Sequence, residues 1–480
     1  MPNCTDLRLW IEQAEKLGEV RHVDGADWVH EMGAITELAS QMDPMPAVLF
    51  DNIKGYPAGY RVITNCLASV GRVALTFGMP TDLSNLEFVK EWRKMAGTFK
   101  PIRPVEVKSG PVLENVKEGK DVNLLEFPAP KWHEHDGGRY IGTGDMVITR
   151  DPDEGWVNIG TYRVMIQDEQ SVGVHIALAH HGAMHIRKAL ERNESIKVAI
   201  SVGHHPAFLS VASMEFPYGY CEYDFVGALQ GEPIEVIQGP YSGLPIPADS
   251  EIVLEGEIVP GKVKYEGPFG EWTGYYASPP KPDPLIQIHS VLYRNDPIIL
   301  GAPPVRPPAE HSVYRAFTRA ARIWDALEGA GVPGVKGVWC HPAGGSRMLN
   351  IVSIQQKFTG HARQAGLIAA QCQAALYANR YTIVVDEDID PTNTFQVLWA
   401  LCTRSDPATS IQIITRSMRT SDDPIGPADG SGGFSSRAVI EACKPFESIK
   451  DFPRVSGPSP ELREEIYRKF AHVFKVGPAS

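Results

Sequence analysis

The sequence predicts a mixed α/β and β protein in three segments: an N-terminal α/β region (1–105), a central β-sheet or barrel domain (106–305) and a C-terminal α/β domain (306–480). Three observations predict it. Apolar residues at helical spacing mark the start of the chain. Short β-rich runs separated by Gly/Pro turns fill the middle. After Pro307-Pro308, helical patterns alternate with apolar strands, which suggests an α/β layer.

In chain order, Thr5 can cap a first helix whose Leu7, Trp10, Ile11, Ala14 and Leu17 share one face, with Gly18 closing it. A second helical pattern covers 31–42, and residues 60–100 read as mixed, ending in a helix over 85–96. Strands are predicted at 146–149, 156–159, 162–166, 172–178, 197–202, 251–258 and 284–292, interrupted by one helix at 185–192. Beyond them come a helix at 314–327, strands at 335–339 and 349–355, a helix at 362–377 and a strand at 381–385. Ser459 as N-cap with Pro460 at the first helical position opens a last helix to about Phe474. No internal repeat or low-complexity tract is apparent.

Composition excludes several function classes. The 46 Lys+Arg against 58 Asp+Glu give −12, which argues against nucleic acid or an anionic membrane as main partner. No apolar run approaches the ~18 residues of a membrane span. The N-terminus lacks a basic region and an apolar stretch, so the expectation is a cytoplasmic protein. Seven scattered cysteines without C-x-x-C point to reduced thiols and no zinc knuckle. Without export, the Asn193-Glu194-Ser195 sequon carries no meaning.

Several stretches can carry chemistry. In Glu266-Gly267-Pro268-Phe269-Gly270-Glu271, two acids flank a bent turn and can project into one cavity. Paired carboxylates in a poorly solvated site cannot both ionise cheaply, so one becomes a usable acid. As structure alone, the segment reads as a surface hairpin with solvated acids. Asn158-Ile159-Gly160-Thr161-Tyr162-Arg163 offers an amide ligand, a glycine permitting close approach, and a cation; it also reads as a plain strand end. His180 and His181 stand at a strand-to-helix junction, where helix amides favour a phosphate. His181 and His185 can share a helix face, but no H-E-x-x-H motif is present, and histidines more often only pack. Glu222 opens an apolar segment; with Asn158 and His181 it would complete an N/O ligand set for a divalent cation such as Mn²⁺.

Three motifs are decoys. Gly329–Gly334 matches G-x-G-x-x-G but follows a helix and contains Pro333, so it reads as a helix stop. Asp386, Asp388 and Asp390 begin like a calcium loop, yet Pro391 sits where the turn glycine belongs. Gly430-Ser431-Gly432-Gly433 reads as a flexible loop before an anion cradle.

Taken together, the Asn158–Arg163 stretch, His180-His181, Glu222 and the Glu266–Glu271 segment occur in the order of the UbiD family, the prenylated-FMN-dependent reversible decarboxylases, which the chain resembles over nearly its whole length. The 251–256, 341–345, 358–362, 385–390 and 397–401 stretches and Thr403-Arg404 are also similar to that family. The resemblance implies a split β-barrel for the flavin in the central segment and a C-terminal domain that assembles homodimers or homohexamers. It implies prenylated FMN whose phosphate is bridged by Mn²⁺, with K⁺ nearby. Asn158, His181 and Glu222 would be the metal ligands, and Ile159, Gly160, Thr161, Tyr162, Arg163, His180 and His181 would line the cofactor. Arg163, Glu266 and Glu271 would form the family's Glu-Arg-Glu network. Gly160 departs from members that carry Ser there, which puts cofactor contacts at that position in doubt.

The implied reaction is reversible loss of CO₂ from an aromatic or heteroaromatic acid, with Arg163 holding the carboxylate, Glu266 holding Arg163, and Glu271 as general acid. A flavin prenyltransferase would supply the cofactor. His311 can touch a ring hydroxyl or ring nitrogen, or cap a helix. Rival readings are decarboxylation of an acrylic or cinnamic-type acid, a cofactor-binding subunit of a multi-component carboxylase, and a metal-dependent hydrolase built on the His/Glu cluster.

Overall fold

The computed structural model describes residues 6–177, 180–426 and 433–474. Its first helix is Leu7–Lys16, capped by Asp6, whose side chain accepts from the Arg8 and Leu9 amides at 2.6 and 3.4 Å. Thr5 lies outside the described residues. Leu7, Trp10, Ile11 and Ala14 are buried, whereas Leu17 is 38% exposed, because the helix has ended before it. The second helix is Glu31–Ala39, shorter than expected, since Ser40 folds its hydroxyl back onto the Thr36 carbonyl. Helix Asn85–Ala96 falls where expected, and a reciprocal Ser84–Glu87 capping box fixes its start.

The N-terminal sheet runs Val20–Asp24, Ala47–Asp51, Arg61–Thr64, Ile298–Gly301. Its last strand returns from the end of the central segment and pairs parallel with Arg61–Thr64. The N- and C-terminal segments share one apolar core, in which Trp10, Phe77, Phe88, Phe317 and Trp339 are buried together and the Phe88 and Phe317 rings lie 4.4 Å apart.

Among the described residues, the central sheet has nine strands. Its path is Tyr140–Gly142, Arg163–Asp168, Ser171–His175, Lys281–Tyr293, Ile252–Glu266, Ile196–Val202, Met146–Arg150, Val157–Gly160, with Asn115–Glu118 paired to Lys281–Tyr293. The sheet curls into a half-barrel around Val164, Val172, Ile200, Leu254 and Ile288. The strand expected at 251–258 does not stop there. The register slips between Ile258 and Val263, Gly261 takes φ +76°, and the strand continues to Glu266. The strand expected at 172–178 is Ser171–His175; Leu178 lies outside the described residues.

Among the described residues three α-helices, not one, interrupt the central strands: His181–Glu191, Pro206–Ala212 and Glu222–Gln230. Every residue of Pro206–Ala212 is buried, so it shows no polar face for a pattern to reveal.

The C-terminal sheet runs Val335–Cys340, Leu349–Ile354, Tyr381–Asp386, Phe434–Ala442, Ile411–Met418. Helix Glu310–Gly329 precedes it. The helix expected over 362–377 is broken: Cys372 is extended (ψ 158°) between His361–Gln371 and Gln373–Leu376, and Arg437 spans the break by donating to the Ala370 and Leu376 carbonyls. Asp386 and Asp388 pair with Arg404 at 2.9 and 2.7 Å, which accounts for the calcium-like spacing without an ion. Gly329 ends its helix and Gly331 takes φ +81°, as a helix stop requires. Gly430–Gly432 of the glycine-rich loop lie outside the described residues. No helix among the described residues is long and apolar enough to cross a membrane.

Candidate active site

Arg163 opens a strand, and Glu266 ends another three strands further along the sheet, with two strands between them. Only the curl of the sheet lets their side chains meet, since neighbouring strands stand ~4.8 Å apart. The Arg163 Nε and Nη2 donate to the two Glu266 oxygens at 2.9 and 2.8 Å, a bidentate clamp. Nη1 donates to Glu271 Oε1 at 2.6 Å. Glu266 is fully buried and also accepts the Tyr140 hydroxyl at 2.9 Å.

The turn between the acids is set by packing. Gly267 takes φ +86°, and a Cβ at Gly137 would stand 2.1 Å from the Gly267 carbonyl oxygen, so two glycines meet where side chains cannot. Phe269 is buried against the Tyr140 ring, centroids 3.9 Å apart. Glu271 donates its amide to the Tyr275 carbonyl at 2.9 Å.

Charge differs along this network. Burial disfavours the Arg163 cation, but Glu271 and Glu266 outweigh it and hold its pKa above the ordinary value. Burial, then the charge of Asp422, pushes the Glu271 carboxyl up to about 7 against the pull of Arg163. Glu271 is therefore a carboxyl that holds or releases a proton near neutral pH.

The second cluster centres on Glu222. Its oxygens accept from Asn158 Nδ2 at 2.7 Å and the Ile159 amide at 3.0 Å. Asn158 Oδ1 is buried without a partner, and burial pushes the Glu222 carboxyl up to about 7. An orphaned amide oxygen beside a buried carboxylate is a hard-donor set that fits a divalent cation. His181, first residue of its helix, lies edge-on to Trp156 and Tyr218 at 5.4 and 5.7 Å, and burial holds its imidazole neutral, the form that ligates metals. Tyr162 stands edge-on to His180, centroids 5.5 Å apart. A Cβ at Gly160 would stand 2.3 Å from the Tyr162 hydroxyl, so glycine at this position makes room for that ring. The Thr161 hydroxyl is buried without a partner.

The structure thus brings Arg163, Glu266 and Glu271 into contact, and Asn158 with Glu222; His181 makes no hydrogen bond to that pair. His311 is the second residue of its helix, buried with Nδ1 unpartnered; Ala309 is the N-cap, so His311 is not a cap. His185 is buried against Thr149, with Nδ1 3.0 Å from its hydroxyl. Sequence reasoning missed Tyr140, Asp422 and a His175–Glu266–Asp283 cluster whose ligand atoms lie within 4.8 Å. His175 sits opposite Arg163 in strand register, a pairing that alternation alone does not reveal.

Residues 11–92, 103–307 and 312–442 match the N-terminal, Rift-related and C-terminal domains of 3-octaprenyl-4-hydroxybenzoate carboxy-lyase, UbiD. The chain is 32% identical over 455 residues to a phenolic acid decarboxylase of Streptomyces sp. (strain D7), covering 92% of each. It is 34% identical over 423 residues to a pyrrole-2-carboxylic acid decarboxylase of Pseudomonas aeruginosa, covering 84% of each. The UbiD-class enzyme HmfF from Pelotomaculum thermopropionicum, solved in complex with FMN, superposes with TM-score 0.84 at 28% identity, over 95% of this chain and 98% of that one. An evolved dimeric form of HmfF, solved with prFMN, gives 0.81 at 27%, over 96% and 98%. Three matched domains in the right order, near-complete coverage of decarboxylase relatives and superposition on UbiD-class enzymes along almost the whole chain lead to one conclusion: the chain belongs to the UbiD family and is a decarboxylase, a carboxy-lyase.

Proposed function

We propose that this decarboxylase acts reversibly on an aromatic or heteroaromatic carboxylic acid with prenylated FMN, and that Glu271 delivers the proton that replaces CO₂. The observation that carries this reading is the single guanidinium of Arg163 shared between a fully clamped Glu266 and a Glu271 that titrates near 7. The phenolic and pyrrole acids in the relatives' names support an aryl or heteroaryl substrate.

Loss of CO₂ from a ring carbon leaves charge with no sink in any side chain, and the bound cofactor supplies that sink. The protein's own residues do the rest. A guanidinium has five N–H donors. Three on Arg163 go to Glu266 and Glu271, which leaves one on each terminal nitrogen for the substrate carboxylate. Glu266, with Tyr140 behind it, fixes the plane of that fork. Glu271, protonated, gives its proton to the ring carbon, and the carboxylate left behind is held by Arg163. In the reverse direction the same oxygen removes the ring proton. Asn158, His181 and Glu222 would hold Mn²⁺ against the cofactor phosphate with K⁺ nearby, and Ile159–Arg163 with His180 would line the ring system. A flavin prenyltransferase would supply the cofactor to a cytoplasmic homodimer or homohexamer.

The test is protein co-expressed with a flavin prenyltransferase, assayed for CO₂ release from hydroxybenzoates and pyrrole-2-carboxylate. Glu271→Gln is expected to lose about 10²–10⁴-fold in turnover while keeping its flavin absorbance. Normal turnover by a folded, flavin-loaded Glu271→Gln protein overturns the assignment.

A further inference from the structure

The loop that carries Glu271 is gripped from the C-terminal segment. Trp272, the next residue, donates its indole N–H to Asp422 Oδ2 at 2.8 Å. Tyr377 donates its hydroxyl to the same oxygen at 2.6 Å, and Thr273 Oγ1 donates to the Asp422 carbonyl at 3.3 Å. Arg347 lies over the Trp272 and Tyr377 rings at 5.6 and 4.6 Å. A Cβ at Gly345 would stand 2.3 Å from the Trp272 ring, so that backbone packs directly on the indole. Trp272 and Thr273 contribute nothing to the Arg163 network, yet both are tied to one aspartate.

We propose that Asp422 is a positioning residue for Glu271: it fixes the loop that carries the proton donor through Trp272 and Thr273, and it holds a negative charge toward that acid from the C-terminal segment. This rests on Glu271 being the proton donor. Burial opposes the Asp422 charge, but the Tyr377 and Trp272 donors hold its carboxyl below the usual range, so it is ionised at neutral pH. A fixed carboxylate near a second, buried carboxyl makes the second ionisation costly, and the Asp422 charge ranks directly after burial among the influences on Glu271. The other groups facing Glu271 are Arg163 and Glu266 from the sheet. A cavity of about 280 Å³ that touches Glu271 adds Glu37, His133, Glu134, His135, Tyr275, Tyr276 and Arg306.

The test is the pH profile of kcat/KM of the cofactor-loaded enzyme. Asp422→Asn keeps an acceptor oxygen but removes the charge, and Trp272→Phe removes the donor but keeps the charge. The alkaline limb is expected to move down by about half a pH unit or more in Asp422→Asn, and to stay at the wild-type position in Trp272→Phe with a few-fold lower kcat. Asp422→Ser reads the same limb should Asp422→Asn not fold. A limb in Asp422→Asn or Asp422→Ser superimposable on wild type overturns the proposal, and so does an equal shift in Trp272→Phe, which would assign the effect to loop position alone. Glu271→Gln in parallel separates the failures. An inactive Glu271→Gln with an unmoved Asp422→Asn limb sinks only the positioning role, whereas an active one removes the proton-donor reading beneath it.

Discussion

The half-barrel carries two buried acidic clusters that differ in one respect. Around Glu266 the chain supplies its own cation: Arg163 clamps both oxygens and Tyr140 takes a third contact. Around Glu222 the chain supplies only an amide and a backbone N–H, and the Asn158 oxygen is left with no donor. The first cluster is electrically complete. The second leaves an amide oxygen unpaired beside a carboxylate, and it is there that the proposed Mn²⁺ would bring the positive charge. A buried acid is thus informative through what faces it: Glu266 meets a guanidinium that holds its geometry, whereas Glu222 meets only uncharged donors.

Arg163→Met should break this contrast most severely, because it leaves Glu266 fully buried with no counter-charge. Turnover should be lost and stability should fall by about 3–5 kcal/mol, read from urea unfolding. A variant as stable as wild type would show that Glu266 does not depend on Arg163. Glu222→Gln should behave differently. In chelator-treated protein it should cost no more than about 1 kcal/mol, since burial already disfavours the charged form of this acid. Mn²⁺ affinity measured by calorimetry should nevertheless fall by more than the roughly 10–100-fold that loss of an outer-shell partner costs. Unchanged Mn²⁺ binding would remove Glu222 from the ligand set. The smallest effect is expected from Gly160→Ser. Its added atoms meet the Tyr162 hydroxyl, so a loss of about 1–3 kcal/mol in thermal unfolding is expected, together with weaker flavin retention. If both are unchanged, Tyr162 can move aside, and glycine there is not a packing requirement.

How far the sequence disclosed these features depended on whether the signal was local. The helix over 85–96 was legible to the residue, and the structure shows why its ends are local: the Ser84–Glu87 capping hydrogen bonds lie within one turn. The acids at 266 and 271 were legible because Gly267 and Pro268 are the residues a tight bend demands. The strand leading into that bend was not: Pro260-Gly261 punctuates the sequence like a turn, but the sheet absorbs it as a register slip. Tyr140 and Asp422 gave no signal, because each reaches the site from a distant part of the chain and looks ordinary among its own neighbours. The break at Cys372 was hidden for the same reason, since its bridging partner, Arg437, comes from a strand much further along.

The strand Ile298–Gly301 has a consequence for how the chain can be divided. Because the N-terminal sheet is finished by residues that arrive after the whole half-barrel has been threaded, the first hundred residues are not a detachable module. A fragment cut ahead of Ile298 would present Arg61–Thr64 as a bare hydrogen-bonding rim, open to mispairing with other copies.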